Sequence, residues 1–442
     1  MDENGAELRL RVRPHPAPRG AVDAPVGEPP LAGVTVVELG TFYAGPFGST
    51  VLADLGARVI KFEPLEGDPM RTIVPFPETG AVKVLSGKES VAVDIGSTEG
   101  HEIVSEAVRR ADIVLRSFRA GVAERLRYDD KTLLAINPNL VYLNAPGFGV
   151  DGPYGHRPAY APTIGAGAGQ AGRNLGPTMI QSPDLSMDQV KDLSLRMGGA
   201  VMSGSNPDAN AALAVATGML LGLLARKRGA PGQSMLTTML NTMSHVLSEE
   251  MVEYEGRGPA PTVDPKIHGF GPLYRIYPAA DATWLFLAAP AEREWTELAR
   301  ALRPYADLHA DARFATTEAR SHHGPELAET LEAVFVRKPA ADWEVELTPN
   351  DVACVVVEKG PSEACIMEGD NALARIEGQA VELEHPVLGQ YIRLKSLVGF
   401  SRSEGRAHGA PLLGQDTQAV LAELGYDDEA IADLCARGII RS

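Results

Sequence analysis

"GVTVVELGTFYAGPFGSTVLADLGARVIKFEP", residues 33–64, reads as a strand, a bare turn, a short helix and a second strand. The β-branched apolar run 33–40 suits an extended segment, and 46–56, stopping at Gly56, suits a helix. "ARVIKFEP" (57–64) is apolar again and carries Lys61 and Glu63 near its end. Outward from this unit the alternation continues. "ESVAVDIG" (89–96) alternates as a strand does, and "STEGHEIVSEAVRRA" (97–111) opens on a Ser97/Glu99 cap with helical spacing behind it. "DIVLRSF" (112–118) and "LVYLNAPGFG" (140–149) are two more strands. Strands separated by helices argue for an α/β fold with a parallel, doubly wound sheet. Ligands of such sheets collect at the carboxyl ends of the strands, where turns such as "TFYAGP" (41–46) lie.

From 152 to 210 the composition shifts to Gly, Ser, Asn and Pro, with one helical patch at 184–197. Residues 170–206 read as a long inserted loop, and such loops in compact domains are usually functional or disordered. A long helix is expected over 208–228, then a hairpin and an amphipathic helix within 271–300, and a closing helical pair in "DTQAVLAELGYDDEAIADLCARGII" (416–440). The expected organisation is a flexible tail (1–30), a large domain (31–235), a small α+β domain (245–350) and a C-terminal segment (360–442).

At 442 residues, with 44% apolar and 22% charged residues, the composition is that of an ordinary globular protein. The longest apolar stretch, "NAALAVATGMLLGLLARKRG" (210–229), ends in Arg226, Lys227 and Arg228 and reads as a buried helix, not a membrane span. The Pro-, Ala- and Arg-rich start has no signal-peptide core. Three cysteines, Cys354, Cys365 and Cys435, form neither a disulfide framework nor a metal-ligand spacing with histidine, which fits a reducing cytoplasm. A net charge of −17 argues against nucleic acid or an anionic membrane as partner.

The Ala44-Gly45-Pro46 turn has little side-chain bulk, and the helix behind it offers free N–H groups. Lys61, Arg71, Lys88 and Arg125 each fall near the end of a predicted strand or in the turn after it. By themselves these residues fit an anion site, and equally a tight turn with scattered surface cations. No Gly-rich nucleotide fingerprint is present.

The run from 33 through "PLEGDPMR" (64–71) resembles the opening of the family III CoA-transferases, the group of formyl-CoA, carnitine and bile-acid CoA-transferases. "GKESVAVDI", "ADIVLRSFRAGVAERL", "LLAINPNLVYLNAPGFGVDGPY", "LLARKRGAPGQSMLTTML", "DARFATTEAR", "HPVLGQ" and "APLLGQDTQAVLAELGYDDEAIADL" follow in the family's order. The resemblance implies a Rossmann-like large domain, a small α+β domain, a C-terminal segment returning to the large one, and an interlocked dimer. It also implies coenzyme A or acyl-CoA as substrate, with no tightly bound cofactor, and a carboxylic acid as second partner. The implied CoA contacts are Phe42, Tyr43, Ala44, Leu85, Lys88, Phe118 and Arg125, with Lys88 and Arg125 on the phosphates. Ser117 stands where an asparagine is common, and Lys61 is assigned to the sheet edge.

The family's transferases attack the thioester with an aspartate, passing through an acyl anhydride and an enzyme–CoA thioester. Here the usual "QAxSG"-like segment and its following aspartate are not intact: Gly165 and Ala168 replace the glutamine and serine. Asp184, in "SPDL", is the best local match, with Asp188 and Asp192 as fallbacks; Asp184 equally suits an N-cap for the helix after it. The family's glycine loop would be "HGFGP", with Gly269 and Gly271, and His268 beside them is a possible acid/base. In the racemase branch a histidine works against an aspartate at the start of the long helix. Those positions fall here at Tyr160, between Ala159 and Ala161, and at Pro207, with Asp208 next to it and His156 upstream. Three functions remain open: a CoA-transferase, an acyl-CoA isomerase or racemase on the same scaffold, and a non-catalytic acyl-CoA-binding subunit with a paralogous partner.

Overall fold

The computed structural model describes residues 27–72, 77–175, 184–202, 206–258, 263–264, 266–357 and 380–442. The expected tail lies almost wholly outside them, as does Cys365.

Strands β1 (Thr35–Leu39), β2 (Arg58–Glu63), β3 (Lys88–Val93), β4 (Ile113–Arg116), β5 (Val141–Asn144) and β6 (Gln233–Leu236) form one parallel sheet. Strands β4 and β5 are buried throughout because helices cover both faces of the sheet there. On one face Val37, Tyr142 and Val114 pack against the helix Thr98–Arg110, which Ser97 caps by accepting the Gly100 N–H at 3.0 Å. On the other, Val36, Ile113 and Leu115 meet the helices Ala44–Asp54 and Pro207–Lys227.

With β13 (Ile440–Arg441) included, the strand order is β13–β3–β2–β1–β4–β5–β6. The chain runs outward from β1 in one direction through β3, then returns to the other side of β1 for β4 to β6. This reversal opens a crevice at the carboxyl edge between β1 and β4. Strand β13 (Ile440–Arg441) pairs antiparallel with β3 at the far edge, and Val420, Leu421 and Leu434 of the last two helices join the core beneath. Lys61 therefore lies on an interior strand and not at a sheet edge: β1 and β3 flank β2.

The helix Pro207–Lys227 is long and apolar enough, by length and composition, to cross a membrane. One side packs into the large sheet through Ala211, Ala212, Val215, Ala216 and Met219, while Leu213, Leu221 and Leu224 are exposed, so a buried helix describes only half of it.

A second, antiparallel sheet has the order β10–β9–β8–β7, from β7 (Gly269–Gly271), β8 (Tyr274–Pro278), β9 (Trp284–Ala288) and β10 (Ala353–Val357). Trp295, Phe335 and Trp343 from its helices fill the core against Tyr277, Leu285 and Leu287. The hairpin β11 (Ala380–His385) with β12 (Gly389–Leu394) stands as a separate two-stranded unit.

Candidate active site

A cleft of about 840 Å³ opens at the crevice between β1 and β4. Its floor is the bend 41–45 after β1 and the segment 117–119 after β4, and its far wall is 145–148 after β5. Leaving β1, the chain must turn sharply enough to start a helix at Ala44, and Phe42 takes the left-handed conformation to do so (φ 68°). Ser117 Oγ accepts the Thr41 N–H at 3.3 Å and ties the two diverging strand ends together.

Of the residues expected at coenzyme A, Phe42, Tyr43, Ala44 and Phe118 line this cleft. Leu85, Lys88 and Arg125 do not. Leu85 is fully buried in an apolar cluster behind Tyr43 and Phe47, and Arg125 is exposed on the short helix Val122–Leu126. Lys88, expected on a phosphate, faces inward instead. Its Nζ donates to Glu38 Oε2 at 2.7 Å, to Pro46 O at 2.6 Å and to Ser49 Oγ at 2.9 Å. Burial pulls its ammonium down to about 8 although Glu38 opposes the shift. Burial also works against the Glu38 carboxylate, but Lys61 and Lys88 overcome it and hold Glu38 below its ordinary value. Arg71 is likewise committed, forming a two-armed ion pair with Glu63 at 2.9 Å on each arm.

Among the described residues, the cations that do line the cleft are Lys83, Arg119 and Arg157. Lys83 comes from the last turn of the helix Pro77–Leu85, with its Nζ 5.1 Å from the ring centres of both Tyr43 and Phe47. Arg157 stacks over Tyr154 at 4.1 Å. All three are exposed and can swing to a multiply charged anion.

Among the described residues lining the cleft, Asp208 is the one acid. It occupies the first turn of the helix Pro207–Lys227, where Asn206 caps by accepting the Asp208 N–H at 2.9 Å. Burial alone raises its carboxyl to about 6. A carboxylate with so little solvation is a stronger base and nucleophile than one in water.

Asp184 and Asp188 are not in the cleft. Both are exposed, and Lys191 approaches Asp188 at 3.7 Å. The cap of the helix Met187–Met202 is Ser186, not Asp184: Gln189 N–H donates to Ser186 Oγ at 3.3 Å while Gln189 Oε1 accepts the Ser186 N–H at 2.9 Å. His268 belongs to the second sheet, where its Nδ1 contacts the Arg275 guanidinium and its ring packs 5.3 Å from Trp284. Burial, and then Arg275, hold it below the ordinary imidazole value. Gly269 and Gly271 form a strand instead of a loop, and a Cβ on Gly269 would meet Tyr274 O at 2.3 Å. Tyr160 lines the cleft edge-on to Phe42, with ring centres 5.6 Å apart, whereas His156 is exposed and outside the lining.

A model of CoA-transferase family III matches residues 31–417. The chain belongs to that family. Its family III relatives include the succinyl-CoA–D-citramalate CoA-transferase of Chloroflexus aurantiacus, 30% identical over 93% of this chain and 98% of that protein. The α-methylacyl-CoA racemase of Mus musculus is 26% identical over 93% of this chain and 98% of that one. Among solved structures, a CAIB/BAIF family protein from Brucella suis superposes with a TM-score of 0.70 at 25% identity, over 90% of this chain and all of the other. The family III relatives thus include transferases and a racemase.

Proposed function

We propose that the protein transfers coenzyme A between carboxylic acids, with Asp208 as the reacting carboxylate. The observation that carries this reading is a desolvated aspartate in the same cleft as the 41–45 bend and three exposed cations. The coenzyme lies along Phe42, Tyr43 and Ala44, Phe118 packs on its adenine or pantetheine arm, and Lys83, Arg119 and Arg157 take the phosphates. They replace Lys88 and Arg125 in that role.

Asp208 Oδ attacks the thioester carbonyl, the C–S bond breaks, and the CoA thiolate leaves an aspartyl–acyl anhydride. The thiolate then attacks the aspartyl carbonyl, releasing the first acid and leaving an aspartyl–CoA thioester. A second carboxylate reverses the two steps and regenerates Asp208. The anhydride is more activated than the thioester and therefore transient, whereas the aspartyl–CoA thioester matches the acyl-CoA it came from, so the half-reaction as a whole is near balance.

We assign the exposed Leu213, Leu221 and Leu224 to contact between two copies of the chain, and the acidic, cysteine-poor composition to a cytoplasmic setting. Trapping with hydroxylamine during turnover of an acyl-CoA tests the chemistry. A hydroxamate on Asp208, mapped by mass spectrometry, is the expected result. A label on Asp184 or Asp188 moves the chemistry to the inserted segment, and no label at all favours the non-catalytic subunit.

A second reading has one observation behind it: Tyr160 and Asp208 line the same cleft. A carboxylate and a phenol there could exchange the α-proton of an acyl-CoA. Deuterium uptake at that carbon in heavy water, without acyl transfer, is its signature.

A further inference from the structure

Immediately behind the bend lies a group of charges that the chemistry above does not use. Glu38, Lys61, Asp68 and Lys88 are each at most 6% exposed. They come from β1, β2, the segment after β2, and β3. The two oxygens of Glu38 take one lysine each: Lys61 Nζ lies 2.7 Å from Oε1 and Lys88 Nζ 2.7 Å from Oε2.

Each lysine also donates to a main-chain carbonyl, Lys61 to Gly40 O and Lys88 to Pro46 O, both at 2.6 Å. Those two carbonyls bracket the bend. Its middle is held as well, because the Phe42 N–H donates to Asp68 Oδ1 at 3.1 Å. Asp68 Oδ2 in turn lies 2.9 Å from Lys61 Nζ. One connected set of charges therefore grips the loop at its start, its centre and its end.

Burying four ions costs several kcal/mol each, and apolar residues of the same volume usually stabilise a fold at least as well. What such a set supplies is fixed geometry. The bend needs it: Phe42 is a bulky residue at φ 68°, a conformation that costs about 1–3 kcal/mol and persists only where its surroundings impose it.

We propose that Glu38, Lys61, Asp68 and Lys88 are positioning residues: a buried ionic clamp that holds the Gly40–Pro46 backbone in the shape that receives the coenzyme, without touching it. The proposal rests on the cleft being the acyl-CoA site. It also gives Lys88 a role in binding that does not involve a phosphate.

The test compares three variants of the full chain. Asp68→Asn keeps an acceptor for the Phe42 N–H, and Asp68→Ala removes it. Glu38→Gln combined with Lys88→Met deletes one charge of each sign, so no lone ion is left buried. Two readouts are taken: hydrogen–deuterium exchange of the peptide spanning 40–47 in the ligand-free protein, and calorimetric affinity for free coenzyme A. For Asp68→Ala and the double variant, exchange in 40–47 should quicken at least about tenfold while β4 and β5 peptides keep their rates, and Kd should rise about tenfold. Asp68→Asn, which keeps the acceptor but removes the charge beside Lys61, should fall between the parent and Asp68→Ala in both. The clamp is overturned if Asp68→Ala and the double variant fold with parental exchange in 40–47, or loosen there and bind coenzyme A as before. Should the parent protein take up no coenzyme A, the reading of the cleft falls. The exchange arm then still decides whether the clamp holds the bend.

Discussion

Gly48 and Val215 touch where the first helix crosses the long one: a methyl group on Gly48 would sit 2.6 Å from Val215 Cγ1 and 2.8 Å from Ala212 O. The crossing sets the distance between the bend, which begins one helix, and Asp208, which begins the other. Gly48→Ala should cost about 1–3 kcal/mol through overpacking, seen as a lower midpoint in urea. Gly45 makes the contrasting case. A Cβ there would lie 3.7 Å from Ser117 Cβ, an ordinary contact, yet it would rise from the cleft floor. Gly45→Ala should leave stability equal or higher by up to about 1 kcal/mol while weakening acyl-CoA binding.

Asp208→Asn should abolish turnover and stabilise the protein at neutral pH. With its folded value raised to about 6 from 3.8, Asp208 favours the native state only while protonated. That contribution is complete below pH 3.8 and is lost as pH rises through about 6, so at pH 7 the ionised side chain works against folding. Allowing for its partial access to solvent, the variant should gain on the order of 1–2 kcal/mol at pH 7 and nothing near pH 4. Denaturant titrations at the two pH values check this. Parental kcat/KM should rise with pH through about 6 as the carboxylate ionises.

Lys83→Ala, Arg119→Ala and Arg157→Ala should each raise KM for acyl-CoA about tenfold, the worth of one charge-assisted contact, and flatten the dependence of KM on salt. Arg125→Ala should change KM by less than about twofold, as expected of an exposed charge outside the cleft. Initial rates at two ionic strengths separate these outcomes.

Asp184→Asn and Asp188→Asn should keep kcat within about twofold of the parent, because neither carboxylate reaches the cleft. A large loss in either would place the chemistry on the inserted segment.

The parallel α/β layer was legible in the sequence because β-branched runs such as 33–40 and 140–144 alternate with helical segments such as 97–111, which opens on a Ser97 cap. Strand β13 was not, since two residues carry no periodicity and its pairing depends on β3, far away in the chain. The buried lysines were misjudged for a similar reason. A lysine at the start of a strand looks like surface charge until its acceptor is known, and that acceptor, Glu38, lies on another strand. A clue was available: Glu38 interrupts "VTVVEL", and a carboxylate inside a doubly covered strand must be paired. In the sheet its register partner is Lys61. Asp208 escaped a catalytic assignment because aligning the long helix placed Pro207 at the key position. Only the three-dimensional arrangement shows which side chain of that first turn lines the cleft.

The antiparallel pairing of Ile440–Arg441 with β3 bears on how the molecule is made. On a ribosome adding about 5–20 residues per second, the outer edge of β3 waits roughly 20 to 70 seconds for its cover. During that interval the nascent chain carries an open hydrogen-bonding rim beside a finished run of neighbouring strands, and a holding chaperone or a trigger for misassembly would find its target there.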